Sequence, residues 1–187
     1  MSANDSTQVS TGKPKVGGAI YAAPLGTALP TDPTTALDKA FKSLGYVSED
    51  GLTNDNAPDT DTVRAWGGDA VLTIQNSKDD TFGFTLIHSL DEDVLKFVYG
   101  SSNVSGDLAT GITVKANAAE AEARALVIDM IMRDGALKRI VIPSCTVTDL
   151  GTITYSDSDA VGYETTVTCT PDASGNTHYE YIKRAAA

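Results

Sequence analysis

Positive charge is scarce in this sequence of 187 residues, which has 14 Lys and Arg against 25 Asp and Glu and a formal net charge of −11. Affinity for nucleic acids depends on clustered cationic groups that meet the phosphates, so the composition excludes a general nucleic-acid binder. The sequence also has no run of about 18 apolar residues, which a membrane-spanning helix needs. Its first residues are polar and do not resemble a secretory signal, so we expect a protein that is made and kept in a cytosol, or is assembled there into something larger.

Cysteine and histidine are equally scarce, with two of each. Without a secretion signal, Cys145 and Cys169 are expected to be reduced thiols that fill small spaces in a core. His88 shares a strand face with three apolar residues, which favours a packed core histidine. A zinc site would need more ligands at short spacing. The motifs of P-loop, dinucleotide-binding, zinc-protease and nucleophile-elbow proteins are missing, so we expect neither catalysis nor a bound metal or cofactor.

Apolar residues make up 41% of the chain, which is enough to fill a core, and the length suits one domain. Residues 1–16 are rich in Ser, Thr, Asn and Lys without periodicity, so they predict a flexible N-terminal arm. Residues 17–187 are expected to form a single domain.

Alternation of apolar and polar residues predicts strands over much of this domain. Residues 162–170 alternate most regularly, with Tyr163, Val167 and Cys169 on one face. Asp134 and Gly135 are a strong hairpin-turn signal. Hairpins at regular spacing indicate a β-sandwich or barrel. The predicted strands are residues 70–76, 81–88, 112–115, 123–133, 138–147, 152–155, 162–170 and 179–183. The first two of these strands are expected to pair with each other.

Two short helices are also predicted. Leu37, Phe41 and Leu44 have the spacing of one helical face, which predicts a helix at residues 35–44. Ser89 and Glu92 have the spacing of a capping box ahead of an apolar stripe that ends at a glycine. This second helix has about ten residues and is too short to be stable alone, so it must pack on a sheet.

The segment at residues 48–66 differs from the rest of the domain. Its first part, residues 48–63, has five acids and no base, and its end holds the only Trp of the chain. The acids do not match the spacing of an EF-hand calcium loop. We interpret the segment as a long polar loop, which in a compact domain is either functional or mobile. Arms and loops without internal packing are candidates for ordering against a partner, which favours an assembly protein over an enzyme.

Several fragments in a fixed order resemble the major tail tube proteins of long, non-contractile (siphovirus-type) phage tails. They are VGGAIYAAP at 16–24, TALP at 27–30, LGYVSEDG at 44–51, RAWGG at 64–68, KRIVIP at 138–143, GYETTVT at 162–168 and PD at 171–172. The resemblance spans nearly the whole chain. No single fragment carries a chemical constraint, and the resemblance rests on their order and spacing.

The resemblance implies a β-sandwich flanked by a short α-helix, without the C-terminal immunoglobulin-like domain of some relatives. It implies a virion protein that is assembled in the bacterial cytoplasm, with six subunits to a ring and rings stacked into a tube around the tape measure protein. The tube would meet the tail terminator and the baseplate or tip proteins, and it would conduct DNA into the host. The acidic composition agrees, because a negative wall repels phosphates and binds no DNA specifically.

The resemblance also implies that the N-terminal arm and the long loop contact neighbouring rings. We therefore expect the polar segment to take part in the stacking of rings. The ring-stacking candidates are Glu49, Asp50, Asp55, Asp59, Asp61, Arg64 and Trp66. The candidates for the lumen are Asp79, Asp80 and Asp129. Trp66 is either an interface anchor or an ordinary core residue at the start of a strand. Two alternatives to a tube subunit remain: a tail terminator or head–tail connector on a related fold, and a soluble enzyme or ligand-binding β-domain.

Overall fold

Antiparallel strands carry most of the regular backbone in the computed structural model, which describes residues 4–184. The described part has one α-helix, three short 3₁₀ turns and thirteen strands. The elements are β1 (Gly12–Pro14), β2 (Ile20–Pro24), β3 (Lys42–Ser43), β4 (Val47–Asp55), β5 (Pro58–Arg64), β6 (Ala70–Lys78), β7 (Thr81–Leu86), α1 (Glu92–Tyr99), β8 (Val104–Ser105), β9 (Thr113–Val114), β10 (Arg124–Met132), β11 (Leu137–Leu150), β12 (Tyr163–Cys169) and β13 (Tyr179–Lys183).

Strands β10 and β11 form the long ladder on which the sheet is built. Ile128 lies opposite Ile140 in this ladder. Strands β1 and β2 pair with the outer edge of β10, and β13 pairs with the outer edge of β11. The connecting turn has φ values of 58° at Asp134 and 75° at Gly135. Two successive positive φ values suit a tight hairpin, so the turn predicted from the sequence is confirmed.

Strand β11 belongs to both layers of the fold. Its first half pairs with β10 and β13, and from Cys145 onward it pairs with β12, which is followed by β7 and β4. Pro143 lies in a bulge of the β10–β11 ladder, between the pairs Leu126–Ile142 and Arg124–Cys145, where a residue without an N–H is tolerated. The two layers enclose one core, so the predicted β-sandwich is confirmed. Its centre is filled by Phe82, Phe84, Leu86, Leu126, Ile128, Ile140, Ile142 and Val167.

Helix α1 covers one side of this core. Its side chains Val94, Leu95 and Phe97 are buried. The helix predicted after residue 88 is therefore confirmed, but its cap differs. Asp91, and not Ser89, is the N-cap, since its carboxylate accepts a hydrogen bond from the N–H of Asp93 at 2.8 Å.

A second core lies on the opposite face of the β10–β11 ladder, under the connection formed by residues 25–41. The connection contributes Phe41 together with the partly buried Leu29 and Leu37. The helix predicted at residues 35–44 is wrong, because this stretch contains turns and the two-residue strand β3. Carboxylates in the connection bond to nearby backbone N–H groups, as Asp38 does to Ala40 at 2.8 Å, and such local bonds compete with a helix.

Three further strand predictions differ from the structure. Residues 70–76 and 81–88 do not pair with each other, because β6 pairs with β5 while β7 pairs with β4 and β12. The predicted strand at 112–115 shrinks to Thr113–Val114, and residues 152–155 form no strand. His88 lies beyond the end of β7 with a side chain that is 37% exposed, so it is not a core histidine.

The N-terminal segment is partly paired. Strand β1 lies on β10, with Gly12 opposite Met132. Just before it, Ser10 Oγ accepts a hydrogen bond from Arg133 N at 2.7 Å. The segment predicted as a flexible arm thus includes a short edge strand, and its residues 1–3 lie outside the described residues.

One buried ion pair joins the ladder to the connection above it. Arg139 is 1% exposed, and its guanidinium donates to both carboxylate oxygens of Asp129 at 2.6 and 2.8 Å. The same group donates to the carbonyl oxygens of Asp32 and Thr35 at 3.0 and 2.7 Å. Asp129 is 4% exposed, so its prediction as a lumen-facing carboxylate is wrong: the carboxylate points under the connection and is neutralised there.

Replacing Asp129 with Ala leaves this guanidinium buried without its carboxylate. Losing one partner of a buried pair costs about 3–5 kcal/mol, and we expect a loss of that size in the free energy of unfolding of the unassembled protein in urea. Lys138→Ala is the control, since it removes a more exposed cross-strand pair, Lys138 with Glu180 at 2.7 Å, one position along the same strand. That loss should stay below about 1 kcal/mol. Equal losses in the two variants would contradict the assignment.

Candidate assembly interface

The segment predicted as a long loop is a pair of strands. Strands β4 and β5 follow each other along one side of an extended hairpin, and β6 and β7 return along the other side. β4 and β7 lie in the sandwich, whereas β5 and β6 pair only with each other. The loop prediction at residues 48–66 is therefore wrong. The sequence misled because β5 and the return strand β6 are exposed on both faces, so burial imposes no alternation on them.

Residues 57–79 form a projecting hairpin, in which every residue is exposed. It nevertheless carries apolar side chains. Val63 lies opposite Leu72, so their side chains share one face, and these residues are 45% and 55% exposed. Val71 and Ile74 are 60% and 45% exposed on the same strand. Large apolar side chains grouped on an exposed element mark a contact surface.

Trp66 occupies the tip of the projecting hairpin and is fully exposed, with a relative accessibility of 107%. The alternative that it is an ordinary core residue is therefore wrong. The tip is an ordered turn: Ala65 N donates to Asp69 O at 2.8 Å, and Gly68 N donates to Ala65 O at 2.9 Å. Arg64 Nη1 also donates a hydrogen bond to Gly68 O at 3.0 Å, which stabilises the turn. The turn thereby presents the indole at a defined position.

The structure separates the seven ring-stacking candidates into two groups, all exposed. Glu49 and Asp50 lie in a bulge of β4 on the body of the sandwich, and Asp55 ends that strand. The other four lie on the projecting hairpin. They are Asp59, Asp61, Arg64 and Trp66.

The base of the projecting hairpin is fixed by Asp80, which is 2% exposed. Its Oδ1 accepts a hydrogen bond from Asn54 Nδ2 at 2.8 Å. Its Oδ2 accepts one from Thr177 Oγ1 at 2.5 Å and lies 2.5 Å from His178 Nδ1. Asp80 thus ties β4, the start of β7 and the approach to β13 together. Its prediction as a lumen-facing carboxylate is wrong, whereas the neighbouring Asp79 is exposed.

Sequence reasoning missed this cluster entirely. Thr177 and His178 are 97 and 98 positions away from Asp80 in the sequence, so no local sequence pattern predicts the contact. Burial raises the pKa of Asp80, but the hydrogen bonds from Thr177, His178 and Asn54 outweigh it and hold the pKa below its ordinary value. The carboxylate is therefore ionised at neutral pH and acts as an acceptor for all three segments.

An ordered sandwich that carries a fully exposed hairpin with apolar side chains defines a structural subunit with a surface for assembly. The chain belongs to the phage tail tube protein family, which matches residues 1–187. It is thus a structural component of a phage tail. No curated protein matches the chain in a sequence search. Among the described residues, none of the helices is both long and apolar enough to cross a membrane.

Replacing Asp80 with Asn puts an amide where three donors need a carboxylate, so the variant should be less stable at neutral pH. A depressed pKa gives stability that is present above the ordinary value of 3.8 and is lost as pH falls through the folded-state pKa. The gap in thermal midpoint between wild type and D80N should therefore narrow as the pH falls below the ordinary carboxyl pKa of 3.8. Asp79→Asn, at the exposed neighbour, should show no such gap. A D80N gap that is constant with pH would refute this role for the carboxylate.

Proposed function

We propose that this chain is the repeating subunit of the tail tube and that the projecting hairpin connects one ring to the next. The subunits form hexameric rings that stack around the tape measure protein, and the finished tube conducts DNA during ejection. The observation that supports this proposal best is the hairpin itself. An exposed strand pair that carries Val63 and Leu72, together with a fully exposed Trp66 at its tip, has no use in an isolated subunit.

The open sheet edges support the same proposal. β4 ends the path of the main sheet on one side, and the two outer edges of the β5–β6 pair have no strand partner among the described residues. Unpaired edges of this kind are an aggregation liability in a monomer. In a tube they supply main-chain hydrogen bonds between subunits, which closes a ring or joins two rings.

The charge of the chain fits a conduit for DNA. With Asp80 and Asp129 paired internally, the net charge of −11 comes from carboxylates that are mostly on the surface. Of the lumen candidates, the exposed Asp79 remains. A wall with this charge repels phosphates, so DNA passes without specific binding. Assembly would take place in the host cytoplasm, with the tail terminator and the tip or baseplate proteins at the two ends.

A catalytic role lacks support. Cys145 and Cys169 lie opposite each other on β11 and β12, and both are buried. Burial raises the pKa of both thiols, to about 12 for Cys169, so neither is a thiolate nucleophile at neutral pH. Membership of the tail tube family favours the tube over a terminator or connector.

Removing the projecting hairpin should separate folding from stacking. Replacing residues 57–79 with Asn-Gly joins β4 to β7 by a two-residue hairpin turn and leaves the sandwich intact. We expect a folded subunit with a nearly unchanged thermal midpoint that forms no long tubes in electron micrographs. The control replaces residues 107–110, the exposed turn between β8 and β9, with the same dipeptide and should still give tubes. Tubes of normal length without the hairpin would refute its stacking role.

Trp66 is the only Trp of the chain, so its fluorescence reports on the hairpin tip alone. The exposed indole should emit at long wavelength in unassembled subunits and at shorter wavelength in tubes, where a contact buries it. Trp66→Ala should weaken that contact by roughly 2 kcal/mol or more and raise the protein concentration needed for tubes. Tyr155→Ala is the control, since Tyr155 is 75% exposed outside the hairpin. An emission spectrum unchanged by assembly would exclude the tip from the contact.

A further inference from the structure

A second apolar surface opens on the body of the sandwich, between the edge strands β1 and β4. This edge cleft has a volume of about 770 Å³. One wall is the chain at residues 15–19, which leaves the sheet between β1 and β2, and the other is the bulged part of β4. The buried Ile20 and Ile128 lie at its floor, and Leu52 and Met130 also line it. The floor of the cleft is therefore apolar.

Glycine keeps the edge cleft open. Five of its lining residues are glycines. A Cβ placed on Gly17 or Gly51 would meet no heavy atom within 4 Å, so the space beside them is empty. At Gly45, by contrast, a Cβ would collide with the ring of His88. Beside Gly17 and Gly51 the walls are thus bare backbone, which leaves room for a side chain from outside.

The charges of the cleft and of the projecting hairpin are complementary. The lining of the cleft carries Lys13 and Lys15 against one acid, Glu49, although the whole chain has a net charge of −11. Lys15 Nζ is 3.4 Å from Asp129 Oδ2, while its side chain stays 40% exposed. The hairpin, at residues 57–79, has more carboxylates than bases. These carboxylates are Asp59, Asp61, Asp69 and Asp79, against the bases Arg64 and Lys78.

The two surfaces do not meet within one chain, because the hairpin is exposed along its whole length and the cleft is open. We propose that the edge cleft of one copy receives the hairpin tip of a second copy, with Trp66 on the apolar floor and the hairpin carboxylates beside Lys13 and Lys15. This proposal rests on the proposed function, in which the hairpin joins copies of this chain, and it names the site on the neighbour that the hairpin occupies.

Photocrosslinking in assembled tubes tests the proposal directly. A subunit carrying Trp66→p-benzoylphenylalanine is mixed as a minor fraction into unmodified protein, assembled, irradiated and digested for mass spectrometry. We expect crosslinks to residues 12–20 or 43–52 of another copy. The same substitution at the exposed Tyr155 is the control and should give none there. Crosslinks from position 66 to other parts of the neighbour, or within its own chain, would overturn the proposal and leave the tube function standing.

Filling the edge cleft provides the second measurement. Ser48 lines the cleft, so Ser48→Trp should occupy it and raise the protein concentration needed for tubes by about tenfold or more. Ser174→Trp, in the exposed turn before β13, is the matched control and should change it little. Circular dichroism confirms that both variants fold. Unimpaired assembly of a folded S48W would overturn the proposal. Failure of the unmodified protein to form any tubes would overturn the proposed function together with it.

Discussion

Both cores of the sandwich depend on the β10–β11 ladder, because each strand of the ladder is buried on both faces. Alternation sends Ile128 and Ile140 into the central core, while Val127 and Val141 face the smaller core under the connection. A ladder buried on both sides reads as a nearly continuous apolar run. The Arg139–Asp129 pair lies two positions along the ladder from Val127 and Val141, on the same outer face. Its guanidinium donates hydrogen bonds to the carbonyl oxygens of Asp32 and Thr35, which holds the connection on the ladder.

The projecting hairpin follows different physical rules from this body. A two-stranded hairpin alone is marginally stable at best in water. Two supports compensate here: the strands continue into β4 and β7, and Asp80 ties their junction to the approach to β13. Stability is therefore graded, from the doubly covered ladder outward to the tip. Elements at the weaker end of such a gradient are the ones that order further against a partner.

The sequence could predict what burial imposes on it. The ladder, the turn at Asp134 and the helix after residue 91 were predictable. Packing against a core requires apolar residues at a period of 2 in a strand and of 3.6 in a helix, and these periods are visible in the sequence. The strands of the projecting hairpin were not predictable, because exposure on both faces removes the alternating pattern. Residues 35–44 were not predictable either, because hydrogen bonds from backbone N–H groups to carboxylates replace the helix there. The partners of Asp80 are distant in sequence, so its burial had no local signal. The resemblance gave the family correctly but did not locate the lumen acids.

The length of the hairpin bears on how strongly acidic subunits can associate at all. Subunits with a net charge of −11 repel one another. β5 has seven residues, and at about 3.3 Å per residue it carries the tip roughly 20 Å beyond the body. The repulsion between exposed charges decays over about 8 Å at physiological salt. When the tip makes its contact, the two bodies are therefore still far enough apart for salt to screen most of the repulsion between them. The apolar side chains of Trp66 and Leu72 bind through the hydrophobic effect, which does not depend on charge.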